Sequence, residues 1–207
     1  MVTDGTAQPG NTDALIARVR SAAVAGVDLV QIREPQLEGG SLLRLVEGCV
    51  NAVRSSRARV LVNDRLDVAL AARAHGVHLR ASSFSGSRVR EIVPRGFLIG
   101  RSVHDVAEVQ AATEDGSLDY LIFGTVFATG SKPGRAPVGL VELAAAVRAT
   151  PLPVLAIGGI TVERMGEVRR AGVSGWAAIS LFGGSPEGLQ LTLEKASLAF
   201  DTASRLP

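Results

Sequence analysis

Short apolar runs recur along this 207-residue chain about every 25 residues, and each is followed by a segment of helical period. The runs begin near Val2, Val27, Arg59, His75, Phe97, Asp119, Pro153 and Gly175. A continuous apolar run, unlike strict alternation, belongs to a strand covered on both faces, as strands in a parallel sheet are. Between the runs, Leu15, Val19, Ala22 and Ala23, and then Leu42, Leu45, Val46 and Val50, repeat at helical spacing. Asn11 or Thr12 is the expected N-cap of the first helix, and Thr161 or its neighbour that of the seventh. Unbroken strand–helix alternation implies a parallel sheet. Eight evenly spaced units favour closure into a (β/α)8 TIM barrel over an open, doubly wound sheet, whose glycine fingerprint does not follow Val2. Residues 1–207 therefore read as one α/β barrel domain, with 129–139 a loop inside the sixth unit and the first strand clipped close to Met1.

Composition removes several classes. A hydrophobic content of 46% with a net charge of +2 excludes disorder as the main state. One cysteine, Cys49, cannot form an internal disulfide, so the reducing cytoplasm is the expected compartment. No run of apolar residues is long enough to span a membrane, and the N-terminus lacks the pattern of a secretory signal. The 22 basic residues are interleaved with 20 acidic ones, without a basic run, aromatic platform or Cys/His finger, so no nucleic-acid partner is expected.

In a barrel, the residues just after each strand line one mouth. Here they are Thr3 and Asp4; Gln31, Arg33 and Glu34; Asn63 and Asp64; His78 and Arg80; Arg101, Ser102 and His104; Gly124 and Thr125; Gly158 and Gly159; and Ser180. Loops are polar in any protein, so no single residue of this set is informative. As a set, arginines, amides and imidazoles around one mouth point to an anionic, hydrogen-bonding ligand. The segment Ile157-Gly158-Gly159-Ile160-Thr161 and the pair Ile179-Ser180 follow the seventh and eighth runs, where barrels commonly cradle a phosphate on backbone N–H groups. The bland reading is that these glycines only turn the chain. Asn63-Asp64 could offer oxygens to Mg²⁺ or cap the next helix, and the sequence leaves both open. The cationic loop 127–135, with Thr129, Ser131 and Lys132, reads as a lid over an anion or as an ordinary solvated loop. His75 is placed at the start of a strand as a structural residue, whereas His78 and His104 are better placed for proton transfer.

The segments VTDG (2–5), VQIRE (30–34), LVNDRLDVAL (61–70), GVHL (76–79), GRSVH (100–104), DYLIFGTVF (119–127) and AIGGIT (156–161) resemble the thiamine phosphate synthase and TenI superfamily along nearly the whole chain. That resemblance implies a TIM barrel, small phosphorylated thiazole or pyrimidine ligands, and a homodimer as one admissible assembly.

The superfamily has two branches. The synthase joins a hydroxymethylpyrimidine pyrophosphate to a thiazole phosphate and expels pyrophosphate with Mg²⁺. The positions here that match its pattern are Gln31, Arg33, Asn63, Asp64 as metal ligand, Ser102, Thr129, Ser131 and Lys132, with Gly159, Ile179 and Ser180 for the thiazole phosphate. Two positions depart from it. A lysine expected after Arg-Glu is Pro35, and a second metal carboxylate falls on Ser83. The TenI branch, which tautomerises a thiazole carboxylate phosphate without metal, is matched by SSFS (82–85) and GRSVH. Its histidine after Tyr-x-x-Phe-Gly is Thr125 here, and a hydroxyl does not replace an imidazole as general base near pH 7. The leading expectation is a TenI-like protein that binds a thiazole phosphate and tautomerises it without a cofactor. In it Gly158, Gly159 and Ser180 hold the phosphate, Arg33 or Arg101 the carboxylate, and His78, His104 or Thr125 stand at the reacting ring. The alternatives are a Mg²⁺-dependent synthase and a catalytically silent binding protein.

Overall fold

The computed structural model describes residues 1–130, 134, 136–182 and 186–202. Its elements alternate in chain order: α1 (Asp13–Val24), β1 (Leu29–Ile32), α2 (Gly39–Ala52), β2 (Arg59–Asn63), α3 (Leu66–Ala71), β3 (Gly76–Leu79), α4 (Gly86–Arg90), β4 (Leu98–Val103), α5 (Val106–Glu114), β5 (Tyr120–Phe123), α6 (Gly139–Arg148), β6 (Val154–Ile157), α7 (Met165–Arg170), β7 (Gly175–Ala177) and α8 (Pro186–Thr202). Among the described residues seven strands follow one another in chain order. The chain is thus α/β with a parallel sheet, as the rhythm of apolar runs implies.

The packing divides into two compact units, each with its own run of parallel strands. The first comprises Met1–His78, Val93–Leu98 and Ile179–Leu193. In it, Leu29–Ile32 pairs with Arg59–Val62, and Leu61–Asn63 with Gly76–His78, all parallel. Val30, Val60, Leu61, Val62 and Val77 are fully buried, which explains why these strands read as unbroken apolar runs. Helix α2 buries Leu42, Leu45, Val46 and Cys49, one face at helical spacing. Gly48 lets α1 come close: a Cβ there would lie 2.5 Å from Ile16 Cδ1.

The run at Val2 is not a full strand. It makes one parallel bridge to Gln31, supported by Gln31 N donating to Met1 O at 2.9 Å and Thr3 N donating to Gln31 O at 3.0 Å. Gly5, at φ +78°, then turns the chain away, so the pairing ends after Thr3. The helix starts also differ in mechanism from expectation. Thr12 and Thr161 stand at N-cap positions, but neither side chain caps, whereas Ser85 and Asp105 accept from Arg88 N and Glu108 N.

The second unit comprises Leu79–Ile92, Ile99–Ala178 and the chain from Glu194 onward. Gly100–Val103 pairs with Tyr120–Phe123, Leu121–Phe123 with Val154–Ala156, and Leu155–Ile157 with Gly175–Ala177, again all parallel. Gly100 is required by packing, because the Tyr120 ring occupies the space its Cβ would take. Ile99, Leu121, Phe123, Leu143 and Met165 form the centre of this unit's core.

Candidate functional site

At the C-terminal ends of β1, β2 and β3 the first unit gathers Gln31, Asn63, Asp64 and His78. Gln31 is 7% exposed, and its Nε2 donates to Asn63 Oδ1 at 2.9 Å. Its other amide atom, Oε1, is buried and has no hydrogen-bond partner among the described residues. A buried acceptor left open in this way costs free energy unless a ligand or water meets it. Asn63 and His78 are register partners, and Asp64 N donates to His78 O at 2.9 Å. Asp64 itself adopts the left-handed conformation, φ +62°, which a short polar side chain tolerates better than most. The residue at the N-cap of α3 is Arg65, whose side chain forks onto Asp67. His75 is structural, its Nδ1 accepting from Val60 N at 3.0 Å.

Beside this group, β1 and the segment after Met1 are interlocked. Arg33 N donates to Thr3 Oγ1 at 2.8 Å, while Gly5 N and Ala7 N donate to the two oxygens of Glu34 at 3.2 and 2.9 Å. Glu34 is 4% exposed, so a buried carboxylate ties down the loop. Asp4 is gripped by Arg18 and Thr6; burial would raise its pKa, but these hydrogen bonds outweigh that and hold it below the ordinary carboxylate value. Arg33 is left with an exposed guanidinium that has no partner among the described residues. A cleft of about 440 Å³ in this unit lies against α1 and is lined by Thr6, Asn11, Arg18 and Ser21 rather than by Gln31 or Asn63.

The second unit holds the other expected residues. The buried Arg101 is committed to the backbone: it donates to the carbonyls of Arg80, Ala81 and Phe84. Its guanidinium is thus a structural tie for the segment after β3 in this structure. Ser102, half-buried, lines a cleft of about 310 Å³ with Ser83, Ser85, Glu108 and Asp115. His104 Nδ1 lies 2.6 Å from Gly124 O; a carbonyl can only accept, so Nδ1 carries a proton and donates to it. Thr125 is 3% exposed, and Thr129 is half-buried in the loop that follows β5. Ser131 and Lys132 lie outside the described residues, as do Gly183 and Gly184.

Gly158 and Gly159 have positive φ, +103° and +61°. A Cβ on Gly158 would come within 2.5 Å of Thr125 Cγ2, and one on Gly159 within 2.6 Å of Ala128 O. Both glycines are therefore required by the approach of the loop after β5. Val126 N and Phe127 N donate to Ile157 O and Gly158 O at 2.9 and 3.0 Å. Sequence reasoning missed Arg164, whose Nη1 donates to Gly159 O at 2.8 Å; only its place five residues beyond Gly159 could have drawn attention to it. Ile179 and Ser180, in the first unit, open a 3-10 turn over Ser180–Phe182, with Phe182 N donating to Ile179 O.

Residues 1–182 match the family described as thiamine monophosphate synthase. The chain belongs to that family. Among its curated relatives is the thiamine-phosphate synthase of Methanoculleus marisnigri, 43% identical over 181 residues, or 87% of this chain and 84% of the relative. The thiamine-phosphate synthase of Roseiflexus castenholzii is 38% identical, over 84% of this chain and 76% of the relative. Among solved structures, a thiamine phosphate pyrophosphorylase from Pyrococcus furiosus superposes with a TM-score of 0.82 at 30% identity, covering 98% of this chain and 94% of that one. These relatives carry the synthase name and not that of the tautomerase branch, so the comparisons favour the alternative expectation over the leading one. No helix among the described residues is long and apolar enough to cross a membrane.

The family's synthase chemistry implies magnesium. At the two carboxylate positions of the synthase pattern this chain has Asp64 and Ser83. The Ser83 hydroxyl accepts from Arg80 N at 2.9 Å, closing a local turn. Among the described residues no three His, Cys, Asp or Glu side chains converge. Magnesium wants octahedral oxygen ligands and dehydrates reluctantly, so one carboxylate does not make a site for it. The side chains present do not fit a protein-held magnesium centre.

Proposed function

We propose that this chain is a thiamine-phosphate synthase, joining a hydroxymethylpyrimidine pyrophosphate to a thiazole phosphate and releasing pyrophosphate. The observation that carries the reading is the Gln31–Asn63 pair, with its buried, open Oε1, in a family whose named relatives are synthases. Because Asn63 Oδ1 takes the Gln31 amide hydrogen, the Gln31 oxygen is the atom left to accept a donor on the pyrimidine. Arg33 offers the diphosphate a guanidinium that has no partner among the described residues and can meet it with two parallel hydrogen bonds. This role falls more heavily on Arg33 because Pro35 brings no charge. Ser102, Thr129, Ser131 and Lys132 belong to the same diphosphate reading, and Gly158, Gly159, Ile179 and Ser180 to the thiazole phosphate. Asp64 is the single acidic residue of the set, and any magnesium would be held chiefly by the substrate's own oxygens.

On this reading residues 1–207 are the single (β/α)8 domain expected from the sequence, in a cytoplasmic enzyme. His78, His104 and Thr125 carry no acid–base step in it, since those assignments belong to the tautomerase branch.

Calorimetric titration of each substrate alone tests the assignment. Gln31→Leu removes the open acceptor and its donor together, and is expected to weaken the pyrimidine diphosphate about tenfold or more, the worth of a buried hydrogen bond to a ligand. Thiazole phosphate affinity should stay within about twofold, on the order of the scatter for a change outside its contacts. Equal losses for both ligands, or none for either, would remove Gln31 from the pyrimidine's recognition.

A further inference from the structure

Three consecutive carbonyls, beginning at the last residue of β6, are each taken by a different donor. Ile157 O accepts from Val126 N, Gly158 O from Phe127 N, and Gly159 O from Arg164 Nη1. The N–H groups of Gly159 and Ile160 donate to nothing among the described residues. The Gly159–Ile160 peptide is trans, so its C=O and N–H point to opposite sides of one plane. Pinning the oxygen therefore aims the Ile160 N–H away from Arg164. The same guanidinium lies over the Phe127 ring, with Cζ 4.4 Å from the centroid. A closed circuit results: Gly159 O to Arg164, Arg164 to the Phe127 ring, and Phe127 N back to Gly158 O.

On the reading that Gly158 and Gly159 cradle the thiazole phosphate, we propose that Arg164 is a positioning residue for the anion-binding peptide. It does not touch the anion. It fixes the plane of the Gly159–Ile160 peptide, and a cationic donor on the carbonyl polarises that peptide so its N–H becomes a stronger donor to phosphate. Only a planar guanidinium can donate in its plane and stack by its face at once; a lysine ammonium keeps the charge but cannot serve both neighbours in this way. Arg164 also ties the glycine turn to Phe127, two residues before Thr129, and so joins the phosphate loop to the loop that leads into Ser131 and Lys132.

The experiment titrates inorganic phosphate into the full-length, isotopically labelled protein and follows the Gly159 and Ile160 amides by NMR. Wild type is expected to show saturable shifts there. Arg164→Ala should weaken phosphate about tenfold, the scale of one charge-assisted contact, and Arg164→Lys should fall between the two. Phe127→Leu, which keeps the backbone bond but removes the ring, should resemble Arg164→Lys. Hydrogen exchange without ligand reads the same device independently: the Phe127 amide should exchange faster in Arg164→Ala and recover partly in Arg164→Lys. In steady state, KM for thiazole phosphate should rise with the phosphate Kd, while kcat and KM for the pyrimidine diphosphate hold. Unchanged phosphate affinity with unchanged Phe127 exchange overturns the proposal. Absence of phosphate shifts in wild type instead removes the phosphate reading of the loop, and exchange at Phe127 then decides by itself whether Arg164 orients the peptide.

Discussion

Glu34→Gln is the substitution through which the first unit's strand-end site can be probed most sharply. The two carboxylate oxygens of Glu34 accept from Gly5 N at 3.2 Å and Ala7 N at 2.9 Å, and the residue is 4% exposed. Glutamine has the same shape, but one of its two positions becomes an amide nitrogen that must face an N–H. One hydrogen bond is lost, its backbone donor is stranded, and the surviving bond becomes neutral. A hydrogen bond to a charged group contributes about 1.5–3 kcal/mol, and a stranded buried donor costs about 1–3 kcal/mol. Against this, the variant no longer buries a charge, which returns part of the loss. The expected net destabilisation is about 2–4 kcal/mol, resting on those two contributions less the recovered desolvation. Urea unfolding at pH 7 measures it, provided the m-value is unchanged. Amide exchange at Gly5 and Ala7 should accelerate selectively. A Glu34→Gln protein within about 0.5 kcal/mol of wild type, the range of an inconsequential surface change, would show that the carboxylate does not hold the loop.

Two other outcomes follow from the same geometry. His75 has its pKa lowered below the ordinary value, first by burial and then by Arg59, so the unfolded chain binds its proton more readily than the folded one. The stability this neutral imidazole contributes is complete above pH 6.5 and declines below it; the loss of stability on acidification, followed by urea unfolding at successive pH values, should be shallower in His75→Gln, and identical profiles would refute it. Since one carboxylate does not build a magnesium site, Mn²⁺ used as a paramagnetic probe should be retained by the protein only when pyrophosphate is present. Tight Mn²⁺ binding without pyrophosphate would show that protein ligands suffice.

The strands were legible because a strand buried on both faces has no polar side to interrupt its run. Arg59 and Gly175 are observed starts of β2 and β7, and the onsets at His75, Phe97, Asp119 and Pro153 each fall one residue before the strand. Val2 was less legible, since a run of hydrophobicity does not reveal that Gly5 turns the chain after three residues. Polar residues at strand ends could be placed by topology, yet their partners could not. Gln31 and Asn63 meet because the β1–β2 register sets Gln31 beside Leu61, two residues before Asn63 on the same strand face, whereas Arg101, chemically as suited to an anion as Arg33, donates to three carbonyls. A one-dimensional pattern names the cation but not the group it faces. Arg164 escaped for the same reason, because its role is set by the position of the Gly159 carbonyl and the Phe127 ring.

The most direct measurement is release of pyrophosphate when the full-length protein is given hydroxymethylpyrimidine pyrophosphate, thiazole phosphate and Mg²⁺ together. Synthase chemistry requires one pyrophosphate for each thiamine phosphate formed, none with either substrate omitted, and a steep loss in Gln31→Leu. Binding of both substrates without any pyrophosphate appearing would contradict it and leave a member of the family that holds these ligands without joining them.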